Sequence, residues 1–373
     1  MLPIKKFNSR CFHLMLFLAE IMKSIKIDDK FVGSDNFCYT IAEAGANHEG
    51  DVEKAKKLID SAIRANADSI KFQTYTANQL VTKSAPKYWD DGIKNETQYD
   101  VFKKLDSLSN DDWKIIFEYA KEKNISCFST PFDEESVDFL YSLNVPAFKI
   151  ASADITHMPL IKKIANRKLP IFLSTGMASI EEIKEAVNWI EDCGNSQIVL
   201  MHCIISYPTE PQDANLEMIS TLTKTFPNQI IGYSDHTIGS LIPAYSVFYG
   251  AKCIEKHFTF DTSLDVSRDH RLSLDENGFA QMVENLHIAN ISKGISFRDS
   301  IPAESEGLKY ARRSIVSKVN IPKGTVITSD MLSIKRPGTG IAPKFVNDVI
   351  GCIALQDIEE DVPIEKNFIT KSK

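Results

Sequence analysis

This 373-residue chain has only 7 cysteines, an odd count with no pair at metal-ligand spacing. That excludes a cysteine-ligated zinc module and a disulfide-stapled domain, and fits a reduced, cytoplasmic setting. Cationic excess is missing as well, since the formal charge is −7. Binding to nucleic acid through a basic stripe is not expected, although a few clustered lysines suffice to hold a small anion. Membrane spans are not expected either. The apolar run 11–19 follows Lys5, Lys6 and Arg10, is interrupted by His13 and is closed by Glu20. It is a weak likeness of a signal peptide, without a small-residue cleavage site, and is too short to cross a bilayer. There is no internal repeat and no low-complexity tract. What remains is a globular chain whose apolar share of 43% supports a substantial core.

Eight short apolar runs are present, and each ends on polar or ionisable residues. Run 39–42 ends on Glu43; 69–72 carries Lys71 and precedes Gln73; 125–128 ends on Ser129 and Thr130; 147–150 carries Lys149 and precedes Ser152. Run 170–173 ends on Ser174 and Thr175, 198–201 on His202, 230–233 on Ser234, Asp235 and His236, and 253–254 on Glu255 and His257. Most intervals read as one helix. A closed ring of eight parallel strands, the TIM (β/α)8 barrel, would bring all eight C-terminal ends to one face, where such barrels keep their active sites.

Apolar periodicity places a helix from Asp51, one through Trp113, Ile116 and Phe117 capped by Asn110 or Asp111, and one from Ser179 with Glu182 closing a capping box. The segment 241–249 is nearly all apolar and is expected to be well buried. The long polar connection 75–109 breaks the rhythm. It reads as a lid or substrate wall, or as a surface excursion with a short helix at 98–104. The boundaries read as an N-terminal extension 1–35 (residues 1–21 disordered, or translation starting at Met22), a barrel 36–292, a polar linker 293–311, and a small β-rich module 312–373.

Lys71 and Lys149 sit inside strands, where an unpaired ammonium is costly. Either a salt bridge to Glu43 or Asp154 offsets them, or an anion binds between them. Ser129, Thr130, Ser152 and Ser234 add hydroxyls to the same rim, a donor set suited to phosphate or carboxylate. Glu43 could polarise or deprotonate a substrate, or serve as the counter-ion of Lys71. His48 and Glu49 read as caps of the next helix. His236 and His257 would be neighbours in a closed ring, where two imidazoles can chelate one divalent ion. Asp235 is expected to hydrogen-bond a ligating imidazole and fix its tautomer, and His202 to be a ligand or a donor behind one. His13, His157 and His287 read as structural or exposed.

Seven motifs in order resemble the sialic acid synthase family, the phosphoenolpyruvate-dependent nonulosonate synthases. They are the segment 41–50 around Glu43-Ala44-Gly45-Ala46-Asn47-His48, Lys71-Phe72-Gln73-Thr74, Ser129-Thr130-Pro131-Phe132, Phe148-Lys149-Ile150-Ala151-Ser152, Leu173-Ser174-Thr175-Gly176-Met177, Gly232-Tyr233-Ser234-Asp235-His236 and Ile254-Glu255-Lys256-His257-Phe258. The tail, with Arg313-Ser314-Ile315, Ile321-Pro322-Lys323-Gly324 and Lys335-Arg336-Pro337-Gly338, is similar to the antifreeze-like SAF domain of that family.

The resemblance implies condensation of phosphoenolpyruvate with N-acetylmannosamine or a related amino-sugar aldehyde, with phosphate released. It implies a divalent ion, manganese first and magnesium or cobalt as alternatives, on His236 and His257. Catalysis would fall to Glu43, Lys71 and Lys149. Phosphoenolpyruvate would lie on Lys71, Thr130, Lys149, Ser152 and Ser234, and the sugar on Glu43, Gln73, Tyr207, Asp269 and, from a partner chain of a domain-swapped homodimer, Arg336. The alternatives are another phosphoenolpyruvate-dependent 3-deoxy sugar-acid synthase and a catalytically inactive sugar-binding barrel. The chain departs from the family pattern at Ile205 (often Asn), Asp154 (Glu), His157 (Asn) and Ser267-Arg268-Asp269-His270 (a Gly-Pro-Asp type segment), which loosens the tie to N-acetylmannosamine.

Overall fold

The computed structural model describes residues 24–33, 37–89, 95–264, 266–294 and 301–371. The expectations for residues 1–23, including the alternative start at Met22, lie outside them. The chain divides into two units, 1–293 and 294–373.

In the first unit eight parallel strands close into a barrel: β3 (Tyr39–Gly45), β4 (Ser69–Thr74), β5 (Ser126–Pro131), β6 (Phe148–Ile150), β7 (Ile171–Ser174), β8 (Ile198–Cys203), β9 (Ile230–Asp235) and β10 (Cys253–His257), with β10 returning to β3. These are the eight apolar runs, and in most the chemistry-bearing residues occupy the last strand positions. Every one of their residues except Gln73 is buried. Alternation decides which side chains enter the ring. Tyr39, Phe128 and Phe172 do so on three alternate strands; the Phe172 ring stacks on Tyr39 at 6.3 Å and on Phe128 at 5.2 Å. Each such ring contributes about 1.5–3 kcal/mol by burial and makes a dry floor under the charged layer above it.

Before the barrel, β1 (Ile25–Ile27) and β2 (Lys30–Val32) form an antiparallel hairpin. Ile25, Ile27 and Val32 belong to the barrel's hydrophobic core, so this unit begins before residue 36. The helices Val52–Arg64, Asn110–Glu122 and Ile180–Asp192 pack their apolar faces on the strands. Asp51 and Ser179 cap as the sequence predicts. The cap of Asn110–Glu122 is instead Ser109, which forms a reciprocal box with Asp112. A hydroxyl one residue earlier meets the N3 amide, whereas Asn110 is already helical.

The segment 241–249 is only half buried: Leu241, Tyr245 and Phe248 are 56%, 46% and 53% exposed. Its periodicity buries Ala244 and Val247 and leaves the larger side chains facing out. No helix among the described residues is long and apolar enough to cross a membrane.

In the second unit β11 (Ser314–Ser317) pairs antiparallel with β12 (Leu332–Lys335), and β13 (Cys352–Ala354) with β14 (Ile369–Lys371). Ile315, Ile321, Ile327, Ile341, Val349, Ala354, Ile358 and Ile364 form its own core. The connections are turns and single helical turns, as expected for a small β-rich module.

Candidate active site

Pairing across the ring aligns the site. Glu43 of β3 faces Lys71 of β4 and His257 of β10 in register, and Ser234 of β9 faces Glu255. On β10 the period of two sends Cys253, Glu255 and His257 to one side and Lys256 to the other.

One half of the site is a layer of opposed charges. Lys71 Nζ stands 2.6 Å from Glu43 Oε2 and 3.9 Å from Glu255 Oε2. It also donates to Thr130 Oγ1 at 2.9 Å. Lys149 Nζ stands 3.9 Å from Glu255 Oε1, which accepts from Ser234 Oγ at 2.9 Å. Ser152 Oγ accepts the Gly176 amide at 2.9 Å; a Cβ on Gly176 would come within 2.9 Å of that hydroxyl. Gln73 Nε2 donates to Glu43 Oε1 at 2.9 Å. Burial pushes the Glu43 carboxyl up, against the pull of Lys71 and with help from Glu255, to about 7. Burial also pushes on Glu255, but Lys149 and then Lys71 outweigh it and hold this carboxyl below its ordinary range. Burial lowers the Lys149 ammonium despite Glu255.

Glu255 is thus the hub of the layer, and sequence reading gave it no role beyond proximity to His257. The signal was there: Cys253, Glu255 and His257 alternate, and an inward His257 requires an inward Glu255. The ammonium of Lys149 pairs with Glu255 and not with Asp154, whose carboxyl burial raises to about 6 against the pull of His157 and then Lys149.

The other half holds two imidazoles, with ring centroids of His236 and His257 5.3 Å apart. His236 Nδ1 lies 2.7 Å from the Ile204 carbonyl oxygen. The proton therefore sits on Nδ1 and leaves Nε2 free. Burial, then the neighbouring His236 and Lys71, hold His257 well below the ordinary imidazole range, so it is neutral. Its Nδ1 is buried without a hydrogen-bond partner and lies 3.8 Å from Asp269 Oδ2. Among the described residues no group of three or more His, Cys, Asp or Glu is arranged to hold a metal. Burial lowers the His236 imidazole, but the neighbouring Cys203 and the Ile204 carbonyl outweigh it and hold it above its ordinary range. Two neighbouring imidazoles nonetheless fit a divalent ion, which would displace the proton from a ligating nitrogen and take its other ligands from substrate and water.

Asp235 does not orient either imidazole. It accepts from Tyr233 OH at 2.7 Å, Lys256 Nζ at 2.6 Å and Thr237 Oγ1 at 2.9 Å, outside the ring. Asp235 ends β9 and His236 follows it in extended continuation, so the two side chains point opposite ways and the Ile204 carbonyl takes the orienting role. His202 likewise turns outward; its Nε2 meets the Ala214 carbonyl at 2.9 Å. His48 and Glu49 do not cap the next helix, since Asp51 does. His48 is buried against Phe72 and Trp113, and Glu49 meets His270 Nε2 at 3.0 Å.

The rim beyond the imidazoles is aromatic. The Tyr207 ring is 4.1 Å from that of His236 and 6.0 Å from that of His257. The connection 75–109 carries the helices Ala77–Leu80 and Gln98–Leu105. Its Trp89 lies under the Arg268 guanidinium at 3.9 Å, which brings this part of the connection to the rim. The sequence-predicted residues of the first unit, Glu43, Lys71, Gln73, Thr130, Lys149, Ser152, Tyr207, Ser234, His236, His257 and Asp269, all lie at this end of the barrel. Arg336 is in the second unit, exposed, at the end of β12.

A sequence model of the NeuB family matches residues 58–296, and one of the SAF domain matches 312–370. An uncharacterised protein of Methanocaldococcus jannaschii is 43% identical over 340 residues, covering 91% of this chain and 97% of its own. The N,N'-diacetyllegionaminic acid synthase of Legionella pneumophila is 39% identical over 326 residues, covering 86% and 91%. The crystal structure of the N-acetylneuraminic acid (sialic acid) synthetase of Leptospira borgpetersenii superposes with a TM-score of 0.68 at 33% identity, over 76% of this chain and 95% of that one. The closed barrel and the SAF domain place the chain among proteins whose named relatives are nonulosonic acid synthases. The chain belongs to the NeuB family.

Proposed function

We propose that the protein condenses phosphoenolpyruvate with an amino-sugar aldehyde to give a nonulosonic acid and inorganic phosphate. The observation that carries the reading is the buried pair of ammoniums, Lys71 and Lys149, on either side of the Glu255 carboxylate and ringed by the hydroxyls of Thr130, Ser152 and Ser234. Such a set holds a phosphate and a carboxylate of one small substrate. Phosphoenolpyruvate would displace the internal pairing and take the two ammoniums as its own.

In the reaction the methylene carbon of phosphoenolpyruvate forms a bond to the aldehyde carbon, and the aldehyde oxygen takes a proton. The enol carbon becomes cationic, and water adds to it and loses a proton, which balances the one taken by the aldehyde oxygen. The new hydroxyl then gives up its second proton as the bond from this carbon to the phosphate oxygen breaks, leaving a ketone, with the electron pair and that proton on phosphate. His236 and His257 would hold a divalent ion, manganese first and magnesium or cobalt as alternatives, which when bound would supply Lewis-acid polarisation of the aldehyde carbonyl. Glu43 orients the water or takes its proton, since a carboxyl near 7 suits proton transfer at neutral pH. Gln73 holds Glu43 in place. Tyr207 and Asp269 face the sugar. Arg336 reaches the same sugar from the partner chain of a homodimer. The six free cysteines of the described residues, five of them buried, suit a reduced cytoplasm. The test is phosphate release from phosphoenolpyruvate, assayed with manganese and a panel of amino-sugar aldehydes. Release must need both ion and aldehyde, and no release with any aldehyde overturns the reading.

A further inference from the structure

We propose that Arg268 sets substrate specificity by binding a second acylamido group of the aldehyde, remote from the reacting carbonyl. The proposal rests on the condensation reading above. Arg268 Cζ lies 3.9 Å from the Trp89 ring centroid, 5.2 Å from that of Tyr207 and 5.8 Å from that of Tyr88. Three faces on one guanidinium fix its plane, at about 0.5–1 kcal/mol or more each. Its Nη1 is nevertheless buried with no hydrogen-bond partner among the described residues. A clamped donor with nothing to donate to is costly unless a ligand completes it.

The turn carrying this arginine is itself pinned. In Arg268–Leu272, the buried His270 lies between Thr259 Oγ1 at 2.7 Å and Glu49 Oε1 at 3.0 Å. Glu49 in turn is paired with Lys54. The position of Arg268 is therefore set by the scaffold and does not depend on the ligand.

Chemistry narrows what is read. Guanidinium has donors only, so the ligand atom is an acceptor. Asp269 Oδ1 stands 3.6 Å from Arg268 Nε, which offsets the charge and disfavours a second anion such as a sugar phosphate. The strongest neutral acceptor on an amino sugar is an amide carbonyl, and its acyl methyl suits the aromatic faces of Tyr88 and Trp89. The Tyr207 ring lies 5.2 Å from the Arg268 guanidinium and 4.1 Å from the His236 ring, so we place the bound group on the other side of that ring from the aldehyde carbonyl. An aldehyde with two acylamido groups meets both conditions.

The test compares the full-length protein with R268M and R268K. Its substrates are N-acetylmannosamine, its 6-phosphate and a diacetamido-trideoxymannose, each with phosphoenolpyruvate and manganese. We expect the wild type to prefer the diacylated aldehyde. R268M should lower its kcat/KM about 10–100-fold relative to the change seen with N-acetylmannosamine, and R268K should recover only part, since the planar fork is lost. The KM for phosphoenolpyruvate should stay within about twofold. A uniform loss across the aldehydes, no loss, or a preference for the phosphorylated sugar overturns the proposal. The alditols obtained by reducing these sugars cannot react, and their binding can be followed by tryptophan fluorescence through Trp89. Weaker binding of the diacetamido alditol to R268M supports the proposal even in a protein that releases no phosphate, and equal binding to both proteins overturns it. Failure of the condensation reading is thereby told apart from failure of this one.

Discussion

The Lys71 ammonium stands 2.6 Å from the Glu43 carboxylate at directly paired positions of neighbouring strands. The pair does not hold Glu43 ionised at all pH values, because burial dominates and places its carboxyl at about 7. Around it lie Lys71, Gln73, Glu255 and His257. If ionised Glu43 handles the water, kcat/KM for the aldehyde rises with pH and levels off above about 7. E43Q should lower kcat about 10²–10⁴-fold and abolish that limb. A limb surviving in E43Q would assign the proton step to another group.

Glu255 serves two ammoniums at once, at 3.9 Å each. E255Q leaves Lys71 with Glu43 and leaves Lys149 with no carboxylate. Breaking a buried pair in this way costs about 3–5 kcal/mol, read as a lower denaturation midpoint in urea. Inorganic phosphate should recover part of that loss and stabilise E255Q more than the wild type, since an anion can replace the missing charge. Equal stabilisation of the two proteins would separate phosphate binding from this layer.

The His236 and His257 rings, 5.3 Å apart, are close enough to share the ion we propose. Dialysis against a chelator should abolish phosphate release, and manganese should restore it. If the two imidazoles hold the ion, H257A and H236A should each lose manganese in equilibrium dialysis, where the wild type binds about one per chain, while keeping the wild-type unfolding transition. A variant that retains the ion at wild-type affinity removes that residue from the ligand set.

All eight strands were legible because parallel strands in a closed ring are buried on both faces, so each reads as an apolar run stopped by the residue that first meets solvent or substrate. Lys71 and Lys149 stood out because ammoniums are rarely placed in such runs. Side-chain direction was legible but unused: alternation alone sends Asp235 outward and Glu255 inward. The Ser109 cap is hard to read because four polar residues in a row, Ser109 to Asp112, surround the helix start. The orientation of His236 was not legible, since its partner is the carbonyl of Ile204 and a backbone acceptor leaves no residue signature. Nor could the sequence bring Trp89 to Arg268, 179 positions away, because that contact depends on how the connection 75–109 folds over the rim.

Arg336 lies outside the barrel unit, exposed in the SAF domain. If it acts on the partner's barrel, R336A raises KM for the aldehyde more than KM for phosphoenolpyruvate. Mixing R336A with H257A, each weakly active alone, should then restore activity, because the mixed dimer contains one barrel with both its histidines and a partner supplying Arg336. An arginine acting within its own chain gives no recovery on mixing.

Behind the ring, Lys256 donates to Asp235 at 2.6 Å, and both side chains are fully buried. Burial depresses the Lys256 ammonium even against the pull of Asp235, so the pair survives through its hydrogen bonds; Lys256 also meets the Thr237 carbonyl, and Asp235 takes Tyr233 and Thr237. K256M would strand the carboxylate and cost about 3–5 kcal/mol, whereas K256M with D235N removes both charges and should cost less than the sum of the single changes. The consequence for the site follows from the chain itself. Asp235 fixes the last residue of β9, and His236 is the next one. If that anchor places the imidazole, K256M weakens manganese binding about 10–100-fold without touching the ion, and the neutral pair restores part of it. Unchanged metal affinity in a destabilised K256M would show that the contacts of His236 with the Ile204 carbonyl and Cys203 position it without the Asp235 anchor.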